Sequence, residues 1–320
     1  MPVVTSPTLT VAVVIPAYNA VRFIGRALAS VRAQTYAVDE IVIVDDGSTD
    51  GTAQMLATEP GRITILSQAN AGPSAARNLG VQHTQADLIA FLDADDEWLP
   101  TAVETQVAVF RSMPEVALTT ADMSAIDEAG HITKPSWFAA QGIAGAVERW
   151  NGGQVPNAVA ALVRKNFIGT SVVLVRRSAF VEAGGFRRDL RFGEDLELWA
   201  RIASERPIVC LRDVLGLRRS HANNTTKSVE PLLRGLARTS EVIAAWGGRV
   251  LADQGLPANE LVGRARTDLG YWLFSEGRHR EARRELGAAI RGWPNARAVR
   301  YWLLSWLPSA LAAKLRALRT

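Results

Sequence analysis

The first 120 residues alternate between two hydrophobic periods. Residues 10–16 (TVAVVIP), 40–45 (EIVIVD), 62–66 (RITIL) and 87–92 (DLIAFL) are short apolar or β-branched runs, and each predicts a buried strand. Between them, Val21, Ile24, Leu28 and Val31 recur at helical spacing over 20–33. Residues 50–57 follow an Asp/Ser/Thr cap, and 73–82 carry Pro73 in a first turn, so two further helices are expected. A helix over 100–112 and a fifth strand over 116–120 extend the series. This alternation predicts an α/β fold with a mostly parallel central sheet flanked by helices. Ligands in such sheets gather beyond the carboxyl ends of the strands. The polar clusters fall there: Tyr18-Asn19 after the first strand, Asp45-Asp46-Gly47-Ser48 after the second, Asp93-Ala94-Asp95-Asp96 after the fourth.

Residues 121–165 mix Gly, Pro, Trp137 and Trp150 without a clear period, and read as a variable, substrate-facing excursion. Order returns with a strand over 171–175, a helix from Ser178 ended by Gly184-Gly185, an amphipathic helix over 194–202 and a short strand over 207–211 around Cys210. From 231 onward the pattern is helical. The expected organisation is a catalytic domain over 1–230 and a basic helical extension over 231–320. Within the extension, Leu269, Gly270, Gly277, Ala282, Leu286, Ala289 and Pro294 match one tetratricopeptide-like hairpin over 263–296, with an ordinary helical hairpin as the alternative. Residues 297–320 carry five basic residues and no acid beside Trp302, Leu303, Trp306, Leu307, Leu311 and Leu315. They read either as an amphipathic tail for an anionic membrane surface or as a terminal helix packed on the core.

Charge sharpens this division. Residues 231–320 hold fifteen Lys and Arg against seven acids, whereas 1–230 hold twenty-one against twenty-five. Hydrophobic residues at 48% and charged residues at 21% exclude a disordered chain. One cysteine excludes a disulfide framework and a thiolate zinc cage. No run reads as a secretory signal or a bilayer span, so the expected location is cytoplasmic, with peripheral attachment to the inner face of the plasma membrane if the tail binds lipid. Basic residues of the extension are interleaved with acids until 296, which argues against nucleic acid as a partner. Dinucleotide and P-loop fingerprints are absent.

Each acidic cluster has a plain alternative. Asp93-x-Asp95 is two carboxylates that a hard cation such as Mg²⁺ or Mn²⁺ would neutralise, or a loop of solvated acids with Asp96 capping the next helix. Asp45–Asp46 is a hydrogen-bond acceptor for a base or ribose, or an Asp-Gly turn. Tyr18 stacks on a nucleobase or simply packs. Glu194-Asp195 is an acid–base pair or an acidic first helical turn.

The combination is far less common than its parts. VVIPAYN (13–19), Gln34-Thr35-Tyr36, IVIVDDGSTDGT (41–52), GPSAARNLG (72–80), FLDADDEWLP (91–100), NFIGTSVVLVRRSAFVEAGGF (166–186) and FGEDLELWARI (192–202) together resemble the family 2 glycosyltransferases. The resemblance runs through roughly residues 10–225 and is poorest over 121–165. It implies a GT-A fold, a nucleotide-sugar donor (a UDP-sugar favoured) and inversion at the anomeric carbon. It also implies a carbohydrate or lipid-linked acceptor in cell-surface glycan or exopolysaccharide synthesis. Carried over by residue, it places Tyr18 and Asp46 on the nucleobase, with Pro16 and Asn19 shaping the strand end and Arg77 near the nucleotide. It places Asp93 on the ribose or metal, Asp95 on a Mn²⁺ or Mg²⁺ ion, Asp195 as general base and Glu194 beside it. Arg219-x-His221 resembles a segment that adds a metal or diphosphate contact, with Asn224 and Ser228 nearby. Trp199 is expected at the acceptor or as support. The competing reading is a catalytically weak nucleotide-sugar-binding scaffold that works through its helical extension.

Overall fold

The computed structural model describes residues 8–221 and 228–307. The chain divides into two compact units, Met1–Asp189 with Glu194–Asn224, and Leu190–Gly193 with Thr225–Thr320. The first unit runs β1 (Val11–Ala17), α1 (Ile24–Arg32), β2 (Glu40–Asp45), α2 (Thr52–Leu56), β3 (Ile63–Ser67), α3 (Pro73–Gln82), β4 (Leu88–Phe91), β5 (Glu97–Trp98), α4 (Ala102–Ser112), β6 (Leu118–Ile126) and β7 (Ile132–Lys134). It continues with α5 (Trp137–Ala140), α6 (Ala144–Trp150), α7 (Ala158–Arg164), β8 (Leu174–Arg176), α8 (Arg177–Glu182), α9 (Glu194–Glu205) and β9 (Ile208–Arg219). The second unit holds α10 (Val229–Asp253), α11 (Ala258–Ser275), α12 (His279–Gly292) and α13 (Ala296–Leu304).

The four predicted strands of the amino-terminal half lie side by side and parallel, in the order β3-β2-β1-β4. The apolar runs of β1, β2 and β4 are buried on both faces, against two separate hydrophobic clusters, whereas β3, expected as a buried strand, lies at the sheet edge with Ile65 40% exposed. Beyond β4 the sheet becomes mixed and continues β8-β6-β9-β5, with β7 paired to β6. Here β8 is antiparallel to both β4 and β6, while β9 runs parallel to β6.

Pro16 stands near the end of β1 without harm. Strand β4 pairs with β1 only as far as Val14, so no ladder bond is asked of the missing Pro16 N–H on that side. The next residues turn sharply. Asn19 adopts the left-handed conformation with φ 49°, which its short polar side chain tolerates.

Three expectations change. Residues 121–165 are not one excursion. Strand β6 continues to Ile126 with almost every residue buried, and α5, α6 and α7 follow. Its polar side chains are matched from afar: Asp122 Oδ1 accepts from Phe138 N at 2.9 Å, and Ser124 Oγ donates to Pro135 O at 2.7 Å. The strand expected over 171–175 begins instead as a single 3-10 turn at Thr170–Val172. The strand expected over 207–211 runs on to Arg219, past the exposed pair Arg212-Asp213 that interrupts its apolar pattern.

In the helical unit, α11 and α12 form a hairpin joined by three residues. Gly270 lies against Leu286, and Gly263 against Trp293, where an added Cβ would come within 2.6 and 2.7 Å of those side chains. The register runs in opposite senses along the two helices, so they are antiparallel, and the glycines set how closely they pack. Among the described residues no helix is long and apolar enough to cross a membrane. Asn224 and the tail positions Leu311 and Leu315 lie outside the described residues.

Candidate active site

The carboxyl ends of β1, β2 and β4 carry the site, as the topology requires. Tyr18 follows β1 and is 52% exposed. Behind it, Asn19 Oδ1 accepts from Thr49 N at 2.8 Å, and Asn19 N donates to Ser48 Oγ at 2.9 Å, which ties the ends of β1 and β2 together. Asp46 is 3% exposed and both its carboxylate oxygens are engaged. Oδ1 accepts from Gln68 Nε2 at 2.6 Å and Ala71 N at 2.9 Å, and Oδ2 accepts from Gly72 N at 2.8 Å. It therefore anchors the loop that enters α3. Gly72 takes φ 86° immediately before Pro73, the first residue of that helix.

Arg77, in the second turn of α3, is 5% exposed. A buried guanidinium needs carboxylates around it. Its Nη2 donates to Asp93 Oδ1 at 2.6 Å, its Nη1 lies 3.7 Å from Glu194 Oε1, and the guanidinium carbon stands 5.3 Å from the centre of the Phe186 ring. Burial alone would lower the Arg77 pKa, but Asp93, Glu194 and Asp195 outweigh it and raise it. One side chain thus joins the end of β4 to the first turn of α9, about a hundred residues later.

Asp195 is half-buried. Its Oδ1 accepts from Leu196 N at 2.7 Å and its Oδ2 from Asn166 Nδ2 at 3.3 Å. Burial raises its pKa, against the pull of the Leu196 N–H, Arg77 and Asn166. On the other flank, His221 Nε2 lies 2.8 Å from Asp95 Oδ2, and its ring stacks on Phe23 at 5.0 Å. Burial and the neighbouring Asp93 raise the Asp95 pKa, and the His221 contact opposes them.

Three predicted residues occupy other roles in this geometry. Asp96 is no helix cap: it is buried, accepts from Ser171 Oγ at 2.6 Å and from Arg219 N at 2.9 Å, and so ties β9 to the acidic loop. Burial, then Asp95 and Asp93, push its carboxyl well above the usual range. Trp199 cannot touch an acceptor. It is 0% exposed, with its ring 5.5 Å from Phe186 and 6.2 Å from Phe91, so only its supporting role stands. Asp46 holds the loop before α3 through these contacts, and its Oδ2, which accepts only from Gly72 N, keeps acceptor capacity for a further donor. Asn166 and Ser171 were missed as site residues. Asn166 does open one of the motif segments, but its partner is 29 residues away.

Burial, and then the Asp195 charge, push the Glu194 carboxyl up to about 7. The folded chain therefore holds this proton more tightly than the unfolded chain. Both forms keep it well below pH 4.5, the model-peptide value. As pH rises the unfolded chain releases it first, so stability falls until the folded carboxyl ionises near 7. The loss amounts to about 3 kcal/mol by pH 8. Glu194→Gln removes it. Urea midpoints should show the variant more stable than the parent at pH 8 and equal to it near pH 4, and an equal gap at both pH values would contradict the shift.

The sequence model of the family described as glycosyl transferase family 2 matches residues 12–182, more than half of the chain. The chain belongs to glycosyl transferase family 2. Over 114 residues the family 2 chain is 40% identical to an uncharacterized glycosyltransferase of Nostoc sp., covering 34% of this chain and 35% of that protein. Over 101 residues it is 37% identical to the Escherichia coli UDP-Glc:alpha-D-GlcNAc-diphosphoundecaprenol beta-1,3-glucosyltransferase WfgD, covering 31% of this chain and 40% of that protein. The chain spans about a third of the length of the first curated relatives it matches. Among solved structures, S. aureus TarS 1-349 in complex with UDP-GlcNAc superposes with a TM-score of 0.67 at 16% identity, covering 93% of this chain and 90% of that one. The family 2 chain therefore shares the TarS fold, and its acidic clusters occupy strand ends within it.

Proposed function

We propose that this protein is an inverting glycosyltransferase that moves a sugar from a UDP-sugar to an acceptor hydroxyl in cell-surface glycan synthesis. The observation that carries the reading is the Arg77 bridge, which draws Asp93 and the Glu194-Asp195 pair into one electrostatic unit. The names of WfgD and of the TarS complex support a uridine donor and, for WfgD, a lipid-linked acceptor.

In this reading Asp195 is the general base. It takes the acceptor proton as the hydroxyl oxygen attacks the anomeric carbon and the bond to the diphosphate breaks. The Leu196 N–H and Asn166 orient its carboxylate and oppose the rise in pKa that burial imposes. Tyr18 offers an exposed ring to the nucleobase, and Asp46 acts by holding the loop before α3. Asp93 is fixed by Arg77 and meets the ribose side of the donor.

Asp95 and His221 offer one carboxylate and one imidazole to a Mn²⁺ or Mg²⁺ ion, and among the described residues no third acid or histidine gathers with them into a metal-holding cluster, so a cation there would take its remaining oxygens from the diphosphate and water. A cation held there would supply charge neutralisation to the leaving diphosphate.

Thermal shift tests this directly. UDP and UDP-sugars with Mn²⁺ should raise the melting temperature, because they bind only the native state. Asp95→Ala should remove most of the metal-dependent part of the shift. A shift equal with and without metal in the parent would overturn the Asp95 assignment. Turnover of the donor with an added acceptor separates a transferase from a binding scaffold.

A further inference from the structure

The helical unit carries a surface that the transferase reading does not use. The two acids of α12 face its neighbours. Glu281 Oε2 meets Arg234 Nη2 of α10 at 2.9 Å, and Glu285 Oε2 meets Arg266 Nη1 of α11 at 2.8 Å. Another stripe of α12 is left to arginine. Arg280, Arg284, Gly287 and Arg291 recur at i, i+4, i+7 and i+11, with Arg283 beside them. Arg280, Arg283 and Arg291 have no carboxylate partner among the described residues, and Arg284 shares Glu285 with Arg266.

Helix α13 closes this stripe into a groove. Gly287 admits the Trp302 indole, whose nitrogen would lie 3.4 Å from a Cβ placed there. The groove has a volume of about 440 Å³ and is lined by Arg283, Arg284, Arg291, Ile290, Trp302 and Leu303. Beside it, Leu303 is 56% and Trp306 62% exposed, and the Arg283 guanidinium lies 4.4 Å from the Trp306 ring centre. Arg283 donates to Ser305 O and Arg284 meets Glu285, while Arg280 and Arg291 meet no carboxylate among the described residues; large apolar side chains standing in water beside this excess of guanidinium groups call for a surface that is apolar and anionic at once.

A second copy presenting the same face would set arginine against arginine, so charge excludes that symmetric pairing. We infer that the α12–α13 groove docks on an anionic lipid bilayer, with its arginines on lipid phosphates and Trp302, Leu303 and Trp306 at the acyl boundary. In that geometry the long guanidinium stems and the aromatic rings lie along the boundary between water and hydrocarbon. The inference stands apart from the transferase reading, because every residue in it belongs to the helical unit.

Vesicle sedimentation of the full chain tests it, using phosphatidylglycerol/phosphatidylcholine vesicles against pure phosphatidylcholine at 0.1 M salt. The full chain should pellet with the anionic vesicles only. Reversing Arg283, Arg284 and Arg291 to Glu should weaken that binding by about 100-fold or more, since each loses an attraction and gains a repulsion. Leu303→Ser with Trp306→Ser alters exposed positions only, so it keeps the test open if the charge-reversed variant fails to fold, and it should weaken binding at least tenfold. The UDP-induced thermal shift should stay unchanged in both. Absence of pelleting by the parent, equal pelleting by both variants, or preference for polyglutamate over the vesicles would overturn the inference.

Discussion

Asp195→Asn should lower glycosyl transfer by about 10²- to 10⁴-fold, the usual contribution of a positioned general base. The substitution keeps the size and shape of the side chain and removes its charge and one acceptor. The retained oxygen keeps the 2.7 Å contact with the Leu196 N–H, while the long 3.3 Å contact with Asn166 is lost. Donor binding should survive: the thermal shift given by UDP-sugar and Mn²⁺ should match that of the parent within error. The decisive readout is single-turnover transfer at saturating donor. Near-parental turnover in that assay would dismiss Asp195 as the base. A loss of donor binding together with activity would also count against it, because it would make Asp195 a binding group.

Arg77→Met should be the most destabilising single change at the site, by about 3–5 kcal/mol, the cost of leaving buried carboxylates without their counter-ion. Methionine replaces much of the volume and none of the charge. Asp93, Glu194 and Asp195 would then lose their shared counter-charge, and the Glu194 and Asp195 carboxyls, whose pKa values Arg77 pulls down, would resist ionisation further in the folded state. The loss should therefore be smaller at pH 5 than at pH 8, because protonation relieves the repulsion. Arg77→Lys should rescue little. The parent meets Asp93 and Glu194 through two different nitrogens and lies over the Phe186 ring, which a single ammonium cannot reproduce. Urea denaturation at the two pH values measures all three proteins. A pH-independent loss, or full rescue by lysine, would mean that Arg77 serves packing rather than charge.

The division between what was legible and what was not follows the range of the forces involved. The four parallel strands declared themselves because each is a local apolar run, and a run of four to seven such residues needs no distant partner to be recognised. Strand β6 did so only over 116–120. Beyond that, Asp122 and Ser124 look like loop residues, yet they are buried, as are Thr119 and Thr120. The pairing of Thr119 with Gln106, of Asp122 with Ser136 and the Phe138 N–H, and of Ser124 with Pro135 O removes most of the penalty of burying those three, while the Thr120 hydroxyl is buried without a partner. Trp199 failed in the opposite direction: its place on an amphipathic helix did not reveal that Phe91 and Phe186 enclose it.

The candidate site divides in the same way. Residue type and order were enough to single out Asp46, Asp93, Asp95 and Asp195, because acids at the ends of apolar strands and at the start of a helix are visible in one dimension. Which carboxylate is locked in a loop, which is neutralised by Arg77, and which meets His221 was settled only when chain segments 16 to 126 residues apart came together. Local hydrophobic period is a property of neighbouring residues, so the primary structure alone determined the four parallel strands, the helices between them and the family. The state of a buried charge depends on the distance to its counter-charge, and that distance exists only in the folded chain.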